Sequence, residues 1–236
     1  MEITLRMASP ADAEKMLAIY APYVENTSIT FEYVPPTVEE FTRRVERILP
    51  QYPWLVCEVD GEIAGYCYAS AHHERAAFQW DAELSVYVDS RFHRLGIASR
   101  LYRAITALLA AQGYYRLYSL ITVPNPVSVG FHQAHGFSTI ATYPATGYKL
   151  GEWHDMIVME RPLRQLQDDP VPPVSWQSLD EEFVTLCLSP KEEQREVRKR
   201  NRHVFSASAG FTGRPGSAAA GYCRPAAHQP DRLFPL

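Results

Sequence analysis

Apolar and polar residues change period several times along this chain. ITLRMA, residues 3–8, alternates with the two-residue period of a strand. From Ser9 the period lengthens. Met16, Ile19, Tyr20 and Tyr23 share one helical face, behind Ser9 as N-cap, Pro10 at the first helical position and Asp12 in the first turn. TVEEFTRRVERIL predicts a second helix, because Thr37 is followed three residues later by Glu40, the capping-box spacing. WLVCEVDGEIAGYCYAS reads as two strands joined at Asp60–Gly61. AELSVYVD is another strand. GIASRLYRAITALLAAQGY predicts a long helix with Leu101, Ile105, Leu108 and Leu109 on one side and Gly113 as its stop. RLYSLITV, NPVSVGFHQAHGF and HDMIVMERPL read as a strand, a short helix ending at Gly136, and a last strand. The alternation predicts an α/β chain.

After Leu163 the pattern is lost. QDDPVPPVSW is Pro-rich, SPKEEQREVRKRNRH is a charge run with the look of a short exposed helix, and SASAGFTGRPGSAAAGYCRPAAHQP lacks the apolar residues to bury a core. The expected organisation is one domain, 1–163, and a largely disordered tail, 164–236.

Composition narrows the class. The 236 residues are 46% hydrophobic and 21% charged, as in globular chains. A net charge of -4 gives no bulk attraction to nucleic acid. No apolar run approaches the ~20 residues of a membrane span. MEITLRMASP has no basic stretch followed by an apolar one, so no secretion signal is expected. The expectation is a cytoplasmic protein without nucleic-acid or membrane partners. Cys57, Cys67, Cys187 and Cys223 form no CxxC pair, and Cys57 and Cys67 sit in apolar strands, so neither a disulfide nor a metal site is expected.

The candidate chemistry starts at RFHRLGIAS, Arg91 to Ser99. A strand precedes it and a helix opens at Gly96. The first amide groups of a helix lack internal partners and lie at the positive end of its dipole. Gly96 and the small Ala98 allow close backbone approach, and Arg91 and Arg94 add positive charge. A pyrophosphate suits such a cradle. Taken alone, the stretch reads first as a strand-to-helix turn with surface arginines, because a single glycine is weak evidence.

HRLGIA resembles the acyl-CoA loop of the GNAT acetyltransferases, Q/R-x-x-G-x-G/A, and NPVSVGFHQAHGF resembles that family's N-x-x-[AS]…GF helix. TSITF, YPWLVCEVDGEIAGYCYAS, WDAELSVYV and GYKLGEWHD are similar, in order, to the phosphinothricin acetyltransferase branch, over roughly residues 2–163. The resemblance implies the GNAT fold: a mixed, mostly antiparallel sheet flanked by helices, with two strands splayed at the acyl-CoA site. It implies acetyl-CoA as co-substrate and a small amino-acid-like amine as acceptor, of the phosphinothricin, methionine sulfoximine or methionine sulfone type. Acetylation of a protein N-terminus or lysine, and a non-catalytic acyl-CoA-binding module, are the competing readings.

The family's roles carry over by position. Glu83 matches the proposed general base; its plainer role is a strand carboxylate or an ion pair. A base is useful because an α-amine of pKa ~8 is only about 10% neutral at pH 7. Val86, Tyr87 and Val88 would contact the acetyl and pantetheine groups through their backbone, one N–H stabilising the oxyanion. Arg94, Leu95, Gly96, Ile97, Ala98 and Ser99 would hold the pyrophosphate, with Asn125 capping the next helix and touching CoA. His132 stands seven residues after Asn125, where many family members carry a Tyr that protonates the departing thiolate; it is otherwise a helix-surface histidine or one that pairs with His135. Phe31, Arg75, Ser85 and Tyr87 are the acceptor-side candidates, with Phe31 a core aromatic and Arg75 a surface cation in the plainer view. GYKLGEWHD reads as a loop that closes over the pocket, in this or a partner subunit, since the branch implies a homodimer. His93 replaces the Gln or Arg that opens the family motif, which implies weaker or pH-dependent CoA binding.

Overall fold

Asp60 and Gly61 both take positive φ, 49° and 82°, and this tight turn folds Trp54–Val59 (β2) back against Glu62–Ala71 (β3). Ile3–Met7 (β1) pairs on the outer side of β2, and Asp81–Val88 (β4) on the outer side of β3. Arg116–Val123 (β5), Ser138–Lys149 (β6) and Glu152–Pro162 (β7) complete one sheet, in the order β1-β2-β3-β4-β5-β7-β6. Every neighbouring pair is antiparallel except β4 with β5. The computed structural model describes residues 1–189.

Each face of the sheet carries its own core. Ala13–Asn26 (α1) and Val38–Ile48 (α2) cover one face, where Met16, Val24, Phe41 and Val45 pack on Trp54, Val56 and Tyr66. The expected Thr37–Glu40 capping box is present, and Ser9 with Asp12 forms a second. Asp12 accepts from the Ser9 N–H, and Glu40 accepts from the Thr37 N–H. Asp12 also takes two bonds of 2.8 Å from Arg6, which hold its carboxyl down at about 2. Ile97–Gln112 (α3) covers the other face with Leu101, Ile105, Leu108 and Leu109, and ends at Gly113 with φ 108°. Pro126–Ala134 (α4) follows β5. Cys57 and Cys67 are free and buried, as expected, and Cys187 is buried too.

Two expectations need correction. GYKLGEWHD is not a loop. It is the turn of a long β6–β7 hairpin, with Leu150 and Gly151 at φ 51° and 87°. β6 escapes the hydrophobic pattern because it is a mostly exposed edge strand with two register shifts. The domain also does not stop at Leu163. Residues 164–189 pack across it. Gln112 Nε2 donates to the Val174 carbonyl at 2.8 Å, and Trp176 Nε1 donates to Leu49 at 2.6 Å. Glu181–Leu188 (α5), capped by Asp180, buries Cys187 against the α3 face. Its apolar residues, Phe183, Val184, Leu186 and Leu188, are few and follow a proline-rich stretch, so the segment reads as tail until its partners are known. The charge run, Cys223 and the rest of the expected tail lie outside the described residues.

Ending the chain at Leu163 removes these contacts. The expected loss is about 2–3 kcal/mol, or a melting temperature roughly 5–10 °C below that of a chain ending at Ser189. Equal melting temperatures for the two truncations would contradict the packing of this segment.

Candidate active site

The parallel β4–β5 ladder is three residues long: Asp81–Arg116, Ala82–Leu117 and Glu83–Tyr118. Beyond Glu83 the strands part. The last link between them is Ser119 Oγ, which donates to the Leu84 carbonyl at 3.4 Å. Backbone groups alternate sides along a strand. If Leu84 faces β5, so does Val86, whose N–H and C=O meet no backbone partner among the described residues. Val88, next on that side, has its carbonyl taken by the Tyr23 hydroxyl at 2.6 Å and by His93 Nε2 at 3.2 Å. The gap is a cleft of about 70 Å³, bordered by Ser85, Val86, Tyr87, Tyr102, Asn125 and His132. Ile29, Ser119 and Thr122 also reach it.

The loop after β4 delivers a helix N-terminus beside this cleft. Gly96, at φ 75°, is the left-handed residue from which α3 starts, and no side chain caps the helix. The N–H groups of Ile97, Ala98 and Ser99 are therefore open to an anion. Ile97 itself is buried in the core and fixes the helix start, and Leu95 packs at its edge. The two arginines of the loop differ. Arg91 is tied to Asp89 and Glu62 at 2.7 and 2.6 Å, whereas Arg94 is exposed and without a partner among the described residues. Ser99 Oγ bonds His135 Nε2 at 3.0 Å. Asn125 Oδ1 accepts from the Ser128 N–H and caps α4, as expected.

His132 is not a surface residue, and its ring bonds Ser128 and Tyr102, whereas His135 meets it through a backbone N–H to the His132 carbonyl. His132 is 4% exposed, and both ring nitrogens are engaged. Nδ1 lies 2.8 Å from the Ser128 carbonyl, which can only accept, so Nδ1 carries the proton. Nε2 then accepts from the Tyr102 hydroxyl at 2.7 Å. Burial holds this imidazole below the ordinary histidine range and pushes the Tyr102 phenol well up. Tyr102 was not singled out by sequence. Its one signal was a hydroxyl on the apolar side of α3.

Glu83, Ser85 and Tyr87 point to the α1–α2 face of β4. There an open groove of about 1090 Å³ is lined by Tyr20, Arg43, Arg47, Tyr66, Tyr68 and Tyr87. Tyr87 borders both the groove and the cleft. Tyr68 faces Ser85 across the β3–β4 ladder. Burial raises the Glu83 carboxyl above its usual range, and the adjacent His72 partly offsets that. Phe31 and Arg75 stand apart from both cavities. The Phe31 ring packs where a Cβ on Gly147 would be, so it braces the β6–β7 hairpin. Lys149 Nζ donates to the Thr30 carbonyl at 2.6 Å and ties the same segment down. Arg75 is exposed at the start of a short turn.

A strand that leaves its parallel neighbour, followed by an uncapped helix N-terminus, is the arrangement of an acyl-transfer site, and comparison with known proteins agrees. The model of the acetyltransferase (GNAT) domain matches residues 5–158, and the chain belongs to that family. Within it, the chain falls in the phosphinothricin acetyltransferase-like branch. A phosphinothricin N-acetyltransferase of Streptomyces viridochromogenes is 38% identical over 159 residues, covering 67% of this chain and 87% of its own. An L-methionine sulfoximine/L-methionine sulfone acetyltransferase of Pseudomonas aeruginosa is 30% identical over 164 residues, covering 68% and 94%. The crystal structure of a GNAT superfamily phosphinothricin acetyltransferase from Sinorhizobium meliloti in complex with AcCoA has a TM-score of 0.69 and 31% identity, covering 75% of this chain and all of its own.

The buried imidazole has a consequence for stability. An unfolded histidine takes up a proton as pH falls through about 6.5; folded His132 resists until lower pH. Between those values the unfolded state binds more protons, so stability rises with pH and is lost as pH falls. His132→Gln should start less stable at pH 7.5 but lose less further melting temperature between pH 7 and pH 5 than the parent. Equal losses would show that His132 does not titrate differently on folding.

Proposed function

We propose that this protein transfers the acetyl group of acetyl-CoA to the primary amine of a small amino-acid-like acceptor. The observation that carries this reading is the parting of β4 and β5 at Glu83, with a carboxyl on the groove side and free backbone groups on the cleft side. The residues present fit the co-substrate. Ile97, Ala98 and Ser99 offer three N–H groups and Arg94 a free cation for the pyrophosphate. For the pantetheine and acyl groups, Val86 offers an N–H and C=O that have no β5 partner among the described residues.

Glu83 takes the proton from the acceptor ammonium. Its raised pKa suits it to that work nearer neutral pH than an ordinary carboxylate. The neutral amine attacks the thioester carbonyl directly, through a tetrahedral intermediate. The Val86 N–H then faces the developing oxyanion. The departing sulfur needs a proton. His132 supplies it from a protonated Nε2 by way of the Tyr102 hydroxyl that this nitrogen bonds, both residues bordering the cleft. Ser85 and Tyr87 form the acceptor side. Arg75, exposed outside the groove, remains a candidate partner for the acceptor's carboxylate or phosphinate, whereas Arg43 and Arg47 line the groove itself. Phe31 acts from behind the β6–β7 hairpin. That hairpin, with Tyr143, Tyr148 and Trp153 exposed, is the surface we assign to a homodimer contact. A cytoplasmic location goes with acetyl-CoA as co-substrate.

The test is acetyl-CoA-dependent thiol release with phosphinothricin, methionine sulfoximine, methionine sulfone and an N-terminal peptide as acceptors. A small amino-acid amine should be the preferred acceptor. Glu83→Gln should lower kcat by about 10²–10⁴-fold while leaving acetyl-CoA affinity near the parent value. Preference for the peptide would favour the protein-acetylating reading, and an unchanged rate in Glu83→Gln would remove Glu83 from the mechanism.

A further inference from the structure

β3 ends at Ala71, and the next residue, His72, turns back over the site. Its ring lies flat on Tyr118, with centroids 4.1 Å apart and planes 8° from parallel. Tyr118 is the β5 residue paired with Glu83 at the last position of the parallel ladder. This stack brings His72 Nδ1 to 3.3 Å from Glu83 Oε2. The His72 side chain is 13% exposed and that of Glu83 is 29% exposed, so the contact is partly shielded from water. An ionised carboxylate can only accept, so Nδ1 is the donor.

Other groups frame the pair. The His73 ring lies 4.3 Å from that of His72 and leans on Phe78. Asp81, half-buried on the same strand as Glu83, interacts with both histidines. Arg116 and Glu160 pair at 3.3 Å beside Tyr118, and the Tyr118 hydroxyl donates to Glu160. Tyr68 approaches Glu83 from β3. Of these, His72 is the group that hydrogen-bonds the Glu83 carboxyl.

We propose that His72 is a positioning residue, donating its Nδ1 proton to Glu83 so that the carboxyl stays fixed and ready to accept the proton of the acceptor amine. The inference rests on the base role proposed for Glu83. Burial disfavours an ionised carboxyl, and a fixed donor restores it. The flat stack on Tyr118 supplies the fixed geometry, and the three-residue ladder holds Tyr118 beside Glu83. If the imidazole were there only to cover Tyr118, another aromatic ring would serve as well.

That difference defines the experiment. kcat/KM for the best acceptor of the panel is measured from pH 6 to pH 9.5 in the parent, His72→Phe, His72→Gln and Glu83→Gln. Phenylalanine keeps the stack and removes the donor. His72→Phe should lose roughly tenfold at neutral pH, with the acidic limb moved up by about one pH unit, and should approach the parent at the alkaline end. Acetyl-CoA affinity should stay within about twofold, as expected for a residue that acts on the base alone. His72→Gln, which keeps an N–H donor, should shift the limb less than His72→Phe. If the phenyl ring prevents folding, His72→Gln against His72→Leu makes the same comparison. A uniform loss across pH, or no loss, would overturn the positioning role while an inactive Glu83→Gln leaves the base role standing. An active Glu83→Gln would overturn both.

Discussion

β4 and β5 hold each other over Asp81–Glu83 and Arg116–Tyr118 and then diverge. A sheet that stops pairing leaves backbone groups that must find water or a ligand, because an unpaired amide in an apolar setting is costly. Here the divergence is guarded on one side by the Ser119–Leu84 bond and on the other by Tyr23 and His93, which occupy Val88. Val86 between them is left open. Side-chain alternation along β4 puts Glu83, Ser85 and Tyr87 on one face, and Tyr87 borders both the groove on that face and the cleft opened by the divergence.

The electrostatics around that edge are arranged in depth. α3 opens with an uncapped, positive end after β4, and Arg94 adds a charge that no carboxylate neutralises among the described residues. Arg91, two residues before His93, is spent on Asp89 and Glu62 and serves the loop's shape. At the back of the cleft, Tyr102 and His132 form a buried pair whose direction is set by a carbonyl, Ser128. His93 turns inward to β4. Its ring therefore helps close the end of that strand, whatever it does for CoA.

Much of this was legible in the residues. The Asp60–Gly61 hairpin, the Thr37–Glu40 capping box and the α3 helix with Gly113 as its stop follow from local chemistry that tertiary contacts do not override. The loop motif falls where α3 opens at a left-handed Gly96. What stayed hidden depends on contacts between distant segments. β6 is an exposed edge strand without apolar alternation, so nothing local marks it. The 164–189 segment looks like tail until Gln112 and Leu49 are seen to bond it. Tyr102 and His72 carry no motif; one gains its meaning from His132 on α4, the other from Tyr118 and Glu83 on neighbouring strands.

The central claim is that acetyl-CoA lies along the open edge of β4 with its pyrophosphate on the first turn of α3. Amide hydrogen exchange with and without acetyl-CoA tests this directly. New protection is expected at the N–H groups of Val86, Ile97, Ala98 and Ser99, with α1 and the β1–β2 ladder unchanged. Protection elsewhere, with those four amides exchanging as before, would contradict it.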